Sequence, residues 1–128
     1  MQYFREAAPK HNADEEESLF PRVRDLAGIE VQGVLSDMVR LEQEHHWATP
    51  LHMEVDRIGR LWLANGELGK DEAQAFRTAV EQLAAMYRTH LQFEDSVLFP
   101  LANRILAAGQ AAEIAAEMAK RRNLYPQK

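Results

Sequence analysis

H-N-A-D-E-E-E-S-L-F-P at residues 11–21 is echoed by H-L-Q-F-E-D-S-V-L-F-P at residues 90–100. Five of the eleven positions are identical: a histidine, a glutamate four places on, and a Leu-Phe-Pro tripeptide four places after that. Residues four apart on a helix stack on one face, about 6 Å apart along the axis. If both stretches are helical, His11 with Glu15 and His90 with Glu94 each project an imidazole and a carboxylate in the same direction. A single such pair is usually a solvated surface pair. Two copies, each followed by the same apolar tripeptide, point instead to two clamps that meet in a helical core. Together they offer two nitrogens and up to four oxygens, a set suited to a pair of octahedral iron or manganese ions bridged by carboxylates.

The rest of the chain reads as helix, with almost no strand signal. Glycines at 28, 33, 59, 66, 69 and 109 punctuate it, and Asn65-Gly66 with Gly69 makes the clearest break. The pattern predicts helix one from about Tyr3 to Leu26 and helix two from about Glu30 to Ala64. Helix three should begin near Asp71, read as an N-cap, and run to about Ala107, followed by a short amphipathic tail from Ala111 to Arg122. The basic end of that tail, Lys120-Arg121-Arg122, suits a helix C-terminus. In helix two, Leu35, Met38, Val39, Leu41, Leu51, Val55, Ile58 and Leu61 recur at three- and four-residue spacings, the stripe of a bundle-facing helix. Pro50 should kink that helix near His46, and Pro21 and Pro100 should kink or end theirs just past the Leu-Phe pair.

Helix two also carries E-Q-E-H-H-W-A-T-P-L-H at 42–52. His45 and His52 are two turns apart and share a face, whereas His46 points roughly 100° away. His45 is the preferred third ligand. His46 and His52 read as structural or surface histidines, although His52, with Asp56 four residues on, stays a candidate. Glu16 is expected to point away from the site. Phe20, Phe99, Leu19, Leu98, Met86 and Trp47 could wall a dry pocket around the metals, and Tyr87, one turn before His90, could donate a hydrogen bond there.

Bulk properties narrow the function. The 128 residues suffice for one domain, which buries roughly 68% of its unfolded surface. A formal charge of -5 argues against a nucleic-acid phosphate surface. Without cysteine, any metal must take nitrogen and oxygen ligands. No apolar run approaches the ~20 residues of a membrane span, and M-Q-Y-F-R-E is no signal peptide. These features lead to the expectation of a cytoplasmic protein without nucleic-acid or membrane partners.

The doubled His-x3-Glu-x3-Leu-Phe-Pro signature, the Glu-His on the middle helix, Y-R-T-H-L-Q-F-E-D-S-V-L-F-P-L-A and the closing E-M-A-K-R-R resemble the hemerythrin-like (HHE cation-binding) family. The resemblance covers most of residues 1–128 and implies an all-α fold, an antiparallel up-and-down four-helix bundle. It implies a carboxylate-bridged non-haem di-iron centre, with His11, His45 and His90 as terminal ligands and Glu15 and Glu94 as bridges. Two departures stand out. Family members usually begin with a further helix bearing another histidine, and they commonly write His-His where this chain has His11-Asn12. The apparent absence of that first helix leads to the expectation of either a homodimer covering an apolar groove or an upstream helix in the native protein. The expected function is di-iron binding that takes up or senses dioxygen or a related small ligand, more a binder than an enzyme. A di-iron oxidase or peroxidase and a metal-free interaction bundle are the alternatives; the single Glu-x-x-His pair, Glu42 with His45, disfavours a ferritin-like oxidase.

Overall fold

The structure is a computed structural model that describes residues 8–26 and 28–123. The first residues of the expected helix one, 3–7, lie outside the described set. Among the described residues every regular element is helical, and four helices follow one another. The first, α1, covers residues 8–24: α-helical over Ala8–Ala13, π-helical over Asp14–Leu19 and α-helical again over Phe20–Arg24. Helix α2 is Ile29–Asn65. Helix α3 covers residues 70–105, with α-helix over Lys70–Phe93, a π segment over Glu94–Leu98, and α-helix over Phe99–Ile105. Helix α4 is Ala108–Arg121. None of these is long and apolar enough to cross a membrane.

Antiparallel packing follows from which side chains meet. Between α2 and α3, Glu30 pairs with Arg104, His45 lies against His90, His52 meets Tyr87 and Trp62 meets Phe76, so one number rises as the other falls. Between α1 and α2, Glu16 meets His45 and Arg24 meets Glu42. Asn65-Gly66 ends α2 as the sequence indicates: Gly66 takes a left-handed φ of 78° and returns its N–H to the Trp62 carbonyl, a conformation in which a side chain would be strained. The expected N-cap Asp71 instead lies in the first turn of α3, where its charge suits the helix dipole, and Gly69 occupies the cap.

None of the three prolines ends its helix, which removes one of the two outcomes expected for Pro21 and Pro100. Pro50 sits inside α2, which runs unbroken from Ile29 to Asn65. Pro21 and Pro100 neither end nor follow a break in their helices; the disturbance lies ahead of them, as the π segment. A proline ring lacks an N–H and collides with the carbonyl four residues back. The ladder opens before it does so: Phe20 donates its N–H to the Glu15 carbonyl and Phe99 to the Glu94 carbonyl, each five residues back. In α1 the Arg22 guanidinium donates to the Ser18 carbonyl at 2.8 Å, satisfying an acceptor within the widened turn.

Two apolar clusters make the core. At one end Phe20, Val23, Val31, Val34, Met38, Leu41, Leu98, Leu101 and Ala102 pack together; at the other, Ala48, Val55, Ala79, Leu83 and Met86. The expected stripe of α2 is buried at Met38, Leu41, Val55 and Ile58, but Val39 faces solvent. Helix α4 buries no residue. It lies antiparallel along α1 and is held by charge: Arg22 donates to Glu113 and Glu117, Ser18 donates to Glu117 at 2.6 Å, and Arg121 and Arg122 both donate to Asp14. The basic end of the tail therefore serves a partner helix as well as its own dipole.

Candidate metal centre

Between the two apolar clusters lies a layer of buried polar side chains. His45 falls between Leu41 and Ala48 on α2, and His90 between Met86 and Leu98 on α3. Glu15 of α1 and Glu94 of α3 lie in the first turn of the two π segments. One donor atom from each of Glu15, His45, His90 and Glu94 lies within 4.8 Å of the others, and all four residues are buried. The imidazoles of His45 and His90 sit with ring centres 5.0 Å apart. π turns inside α-helices are rare and tend to fall at functional sites; here both contain the glutamate of the repeated motif, Glu15 second in its segment and Glu94 first.

Local contacts within the cluster are close but poorly aligned. His90 Nε2 is 2.9 Å from Glu94 Oε1, His45 Nε2 is 3.4 Å from Glu15 Oε2, and His11 Nε2 is 3.0 Å from Glu15 Oε1. Even so, both carboxylate oxygens of Glu15 and of Glu94, and Nε2 of His45, have no hydrogen bond of good geometry. Buried polar groups are nearly always satisfied, and a buried carboxylate is costly without a counter-charge. Carboxylate oxygens and imidazole nitrogens converging in this way suit a divalent cation of the first transition row, so the residues present fit a metal centre.

The two glutamates divide between them the cost of being buried together. Burial, together with the neighbouring Glu15, pushes the Glu94 carboxyl up to about 6 against the pull of His90. For Glu15 burial acts the same way, but contacts with His11, His45 and Glu94 outweigh it and hold the group below the usual carboxylate range. Burial lowers His45, yet Glu15 and Glu16 more than compensate and raise it. His11 is raised mainly by its contact with Glu15.

Of the five residues expected as ligands, four converge. His11 stands at the rim, with its side chain 49% exposed, in contact with Glu15. His46 is exposed, as expected. His52 is buried, and its Nε2 forms a 2.7 Å hydrogen bond with the Tyr87 hydroxyl; burial lowers its pKa. Tyr87 does approach the centre, with its ring edge-on to His90 at 5.8 Å, but its hydroxyl is engaged by His52. Among the expected wall residues, Phe20 and Leu98 are fully buried and Met86 nearly so, while Trp47 and Phe99 face solvent. A cavity of about 300 Å³ reaches the imidazoles between α1 and α3, lined by His11, Asn12, His45, Tyr87, His90 and Leu91 among others.

Two carboxylates differ from or escape the sequence reading. Glu16 does not point away: its Oε1 is 3.1 Å from His45 Nδ1. The π segment, which face-counting on a regular α-helix ignores, begins at Asp14 and changes the phase of the residues after it. Glu44, next to His45 in sequence, places Oε1 3.3 Å from His90 Nδ1 on the neighbouring helix. Its partner lies across the bundle, so no local spacing could have revealed it.

A helical bundle with inward-facing histidines and glutamates of this kind defines a cation-binding domain. The chain belongs to the hemerythrin HHE cation-binding domain family, whose family model matches residues 1–102; α4 lies beyond the matched span. No curated protein and no solved structure matches the chain.

Proposed function

We propose that this protein is a non-haem di-iron protein that binds or senses dioxygen or a related small ligand. The observation that carries the reading is the buried cluster of Glu15, His45, His90 and Glu94, whose inward oxygens lack hydrogen bonds. Glu15 and Glu94 would bridge the metals, with His45, His90 and, from the rim, His11 as nitrogen ligands. Bound iron would supply electron exchange with an oxygen-type ligand. The chain's own residues supply the setting: apolar clusters on either side keep the layer dry, and the cavity beside His45, Tyr87 and His90 gives a small molecule a way in.

A di-iron oxidase is the second reading, favoured by one observation. The hydrogen-bonded His52–Tyr87 pair beside His90 could deliver a proton into the cavity. Anaerobic loading with ferrous iron, followed by metal counting and visible spectra before and after air, separates these readings. About two irons per chain and a visible band that appears in air and fades when oxygen is stripped are expected of the binder. An irreversible change to ferric protein supports the oxidase, and failure to retain iron sinks both.

A further inference from the structure

We propose that Glu44 and Glu16 are positioning residues that hold the two core imidazoles in the orientation a metal requires. The proposal rests on the di-iron reading but concerns carboxylates that the ligand set does not include. Each core histidine has one ring nitrogen turned toward the cluster, and its opposite nitrogen meets a carboxylate from another helix. His45 Nε2 faces Glu15, while its Nδ1 is 3.1 Å from Glu16 Oε1 of α1. His90 Nε2 faces Glu94, while its Nδ1 is 3.3 Å from Glu44 Oε1 of α2.

The arrangement passes across the bundle in steps. A carboxylate of α1 holds the imidazole of α2, and the residue beside that imidazole, Glu44, holds the imidazole of α3. Glu44 Oε1 and His90 Nδ1 are both buried and have no other hydrogen-bond partner, so a small rotation of the carboxylate lets one satisfy the other. Arg40 lies 3.6 Å from the same oxygen and steadies it from the surface side. A carboxylate at Nδ1 fixes the proton there, leaves Nε2 with its lone pair free toward the cluster, and makes that nitrogen a better donor to a metal.

The test uses Glu44→Gln, Glu44→Ala and Glu16→Gln, with Glu54→Gln as control, Glu54 being half-buried and paired with Arg57 away from the cluster. The first measurement is ferrous-iron affinity by anaerobic chelator competition. The second is long-range proton–nitrogen NMR of the histidine rings in the metal-free protein, which reads the tautomer directly. Glu44→Ala should weaken iron binding about 10- to 100-fold, with Glu44→Gln intermediate because its amide oxygen still accepts from Nδ1. The His90 Nδ1 should carry a proton in the parent and give it up in favour of Nε2 in Glu44→Ala, where the Glu94 carboxylate remains at Nε2; Glu16→Gln should perturb His45 alone. Parent-like iron affinity in both glutamine variants overturns the proposal. So does weaker affinity with unchanged ring-nitrogen signals. A parent that binds no iron refutes the di-iron reading instead, and the ring-nitrogen signals still decide whether the carboxylates orient the imidazoles.

Discussion

Residues 11–21 and 90–100 share a motif and a backbone: each opens its glutamate into a π turn that closes ahead of proline. Their surroundings differ. His11 is half exposed and His90 wholly buried. In the first stretch Phe20 is 0% exposed, whereas in the second the matching Phe99 is 37% exposed and Leu98 is the residue fully inside. Asp14 and Ser18 are polar and buried because α4 covers them with arginines and a glutamate. At the matching places the second stretch has Phe93, half-buried beneath the Arg40 guanidinium, and an exposed Val97. The motif encodes the turn, and the neighbouring helices decide what each position meets.

If the two glutamates are equivalent as bridges, removing either should have the same and the largest effect. Glu15→Ala and Glu94→Ala are each expected to drop iron content well below about two per chain, measured by metal analysis after anaerobic loading. Asp95→Asn, one residue from Glu94 but exposed, should leave both iron content and melting temperature alone. A large loss from only one of the two glutamates would show that the stretches are functionally unequal.

Without metal the two glutamates should part company. The pKa of Glu94 is raised from 4.5 to about 6, chiefly by burial. A raised value stabilises the fold below pH 4.5, and that contribution is lost as pH rises through 6. Between about pH 4 and pH 8 the metal-free parent should therefore lose about 2 kcal/mol relative to Glu94→Gln, whose amide stays neutral throughout. Urea unfolding at both pH values measures the difference. Glu15, held below the ordinary range, should show no such loss over that interval.

A smaller effect separates the outer faces. Asp14→Ala takes the carboxylate from Arg122 and leaves Arg121 to Ser18 and Glu17, and should cost about 1–2 kcal/mol, while Phe93→Ala, at the matching place, removes packing of similar weight. Added salt should shrink the first loss and leave the second unchanged, as thermal melts at two ionic strengths would show. The α4 contact should also loosen in strong acid. Glu117 is depressed to about 2, mainly by its hydrogen bond with Arg22, so its contribution is present above pH 4.5 and disappears as pH falls through 2.

Much of this was legible in the sequence. The helix ends near Gly28 and Asn65-Gly66 follow from local turn chemistry, whereas Gly109 lies inside α4, which starts at Ala108 and not near Ala111; the His-x3-Glu spacing pairs His11 with Glu15 and His90 with Glu94 because four residues make about one turn. His45 was readable from the face it shares with His52, two turns on along α2. What escaped depends on distant partners or on departures from regular helix. Glu44 faces a histidine more than forty positions away, and the ionic seat of α4 joins residues about a hundred positions apart. The orientation of Glu16 toward His45 depends on the widened ladder that starts at Asp14, which a regular turn does not anticipate.

Each π turn also absorbs one residue of chain length. His90, Glu94, Leu98 and Ala102 recur at strict four-residue intervals, and on an ordinary helix such a row would swing about 40° around the axis at every step. The wider turn turns through less angle per residue and brings the row back, so ligand residues above it and apolar residues below it address the same core. The π turn of α3, which includes Ser96, therefore carries one residue more than the ordinary ladder needs. Taking one out would let the ladder close in ordinary register with Leu98, Leu101 and Ala102 still turned toward Phe20 and Leu41, whereas a deletion in a regular stretch would rotate everything after it by about 100°. In evolutionary terms, this part of α3 tolerates the loss of a single letter better than the regular turns around it.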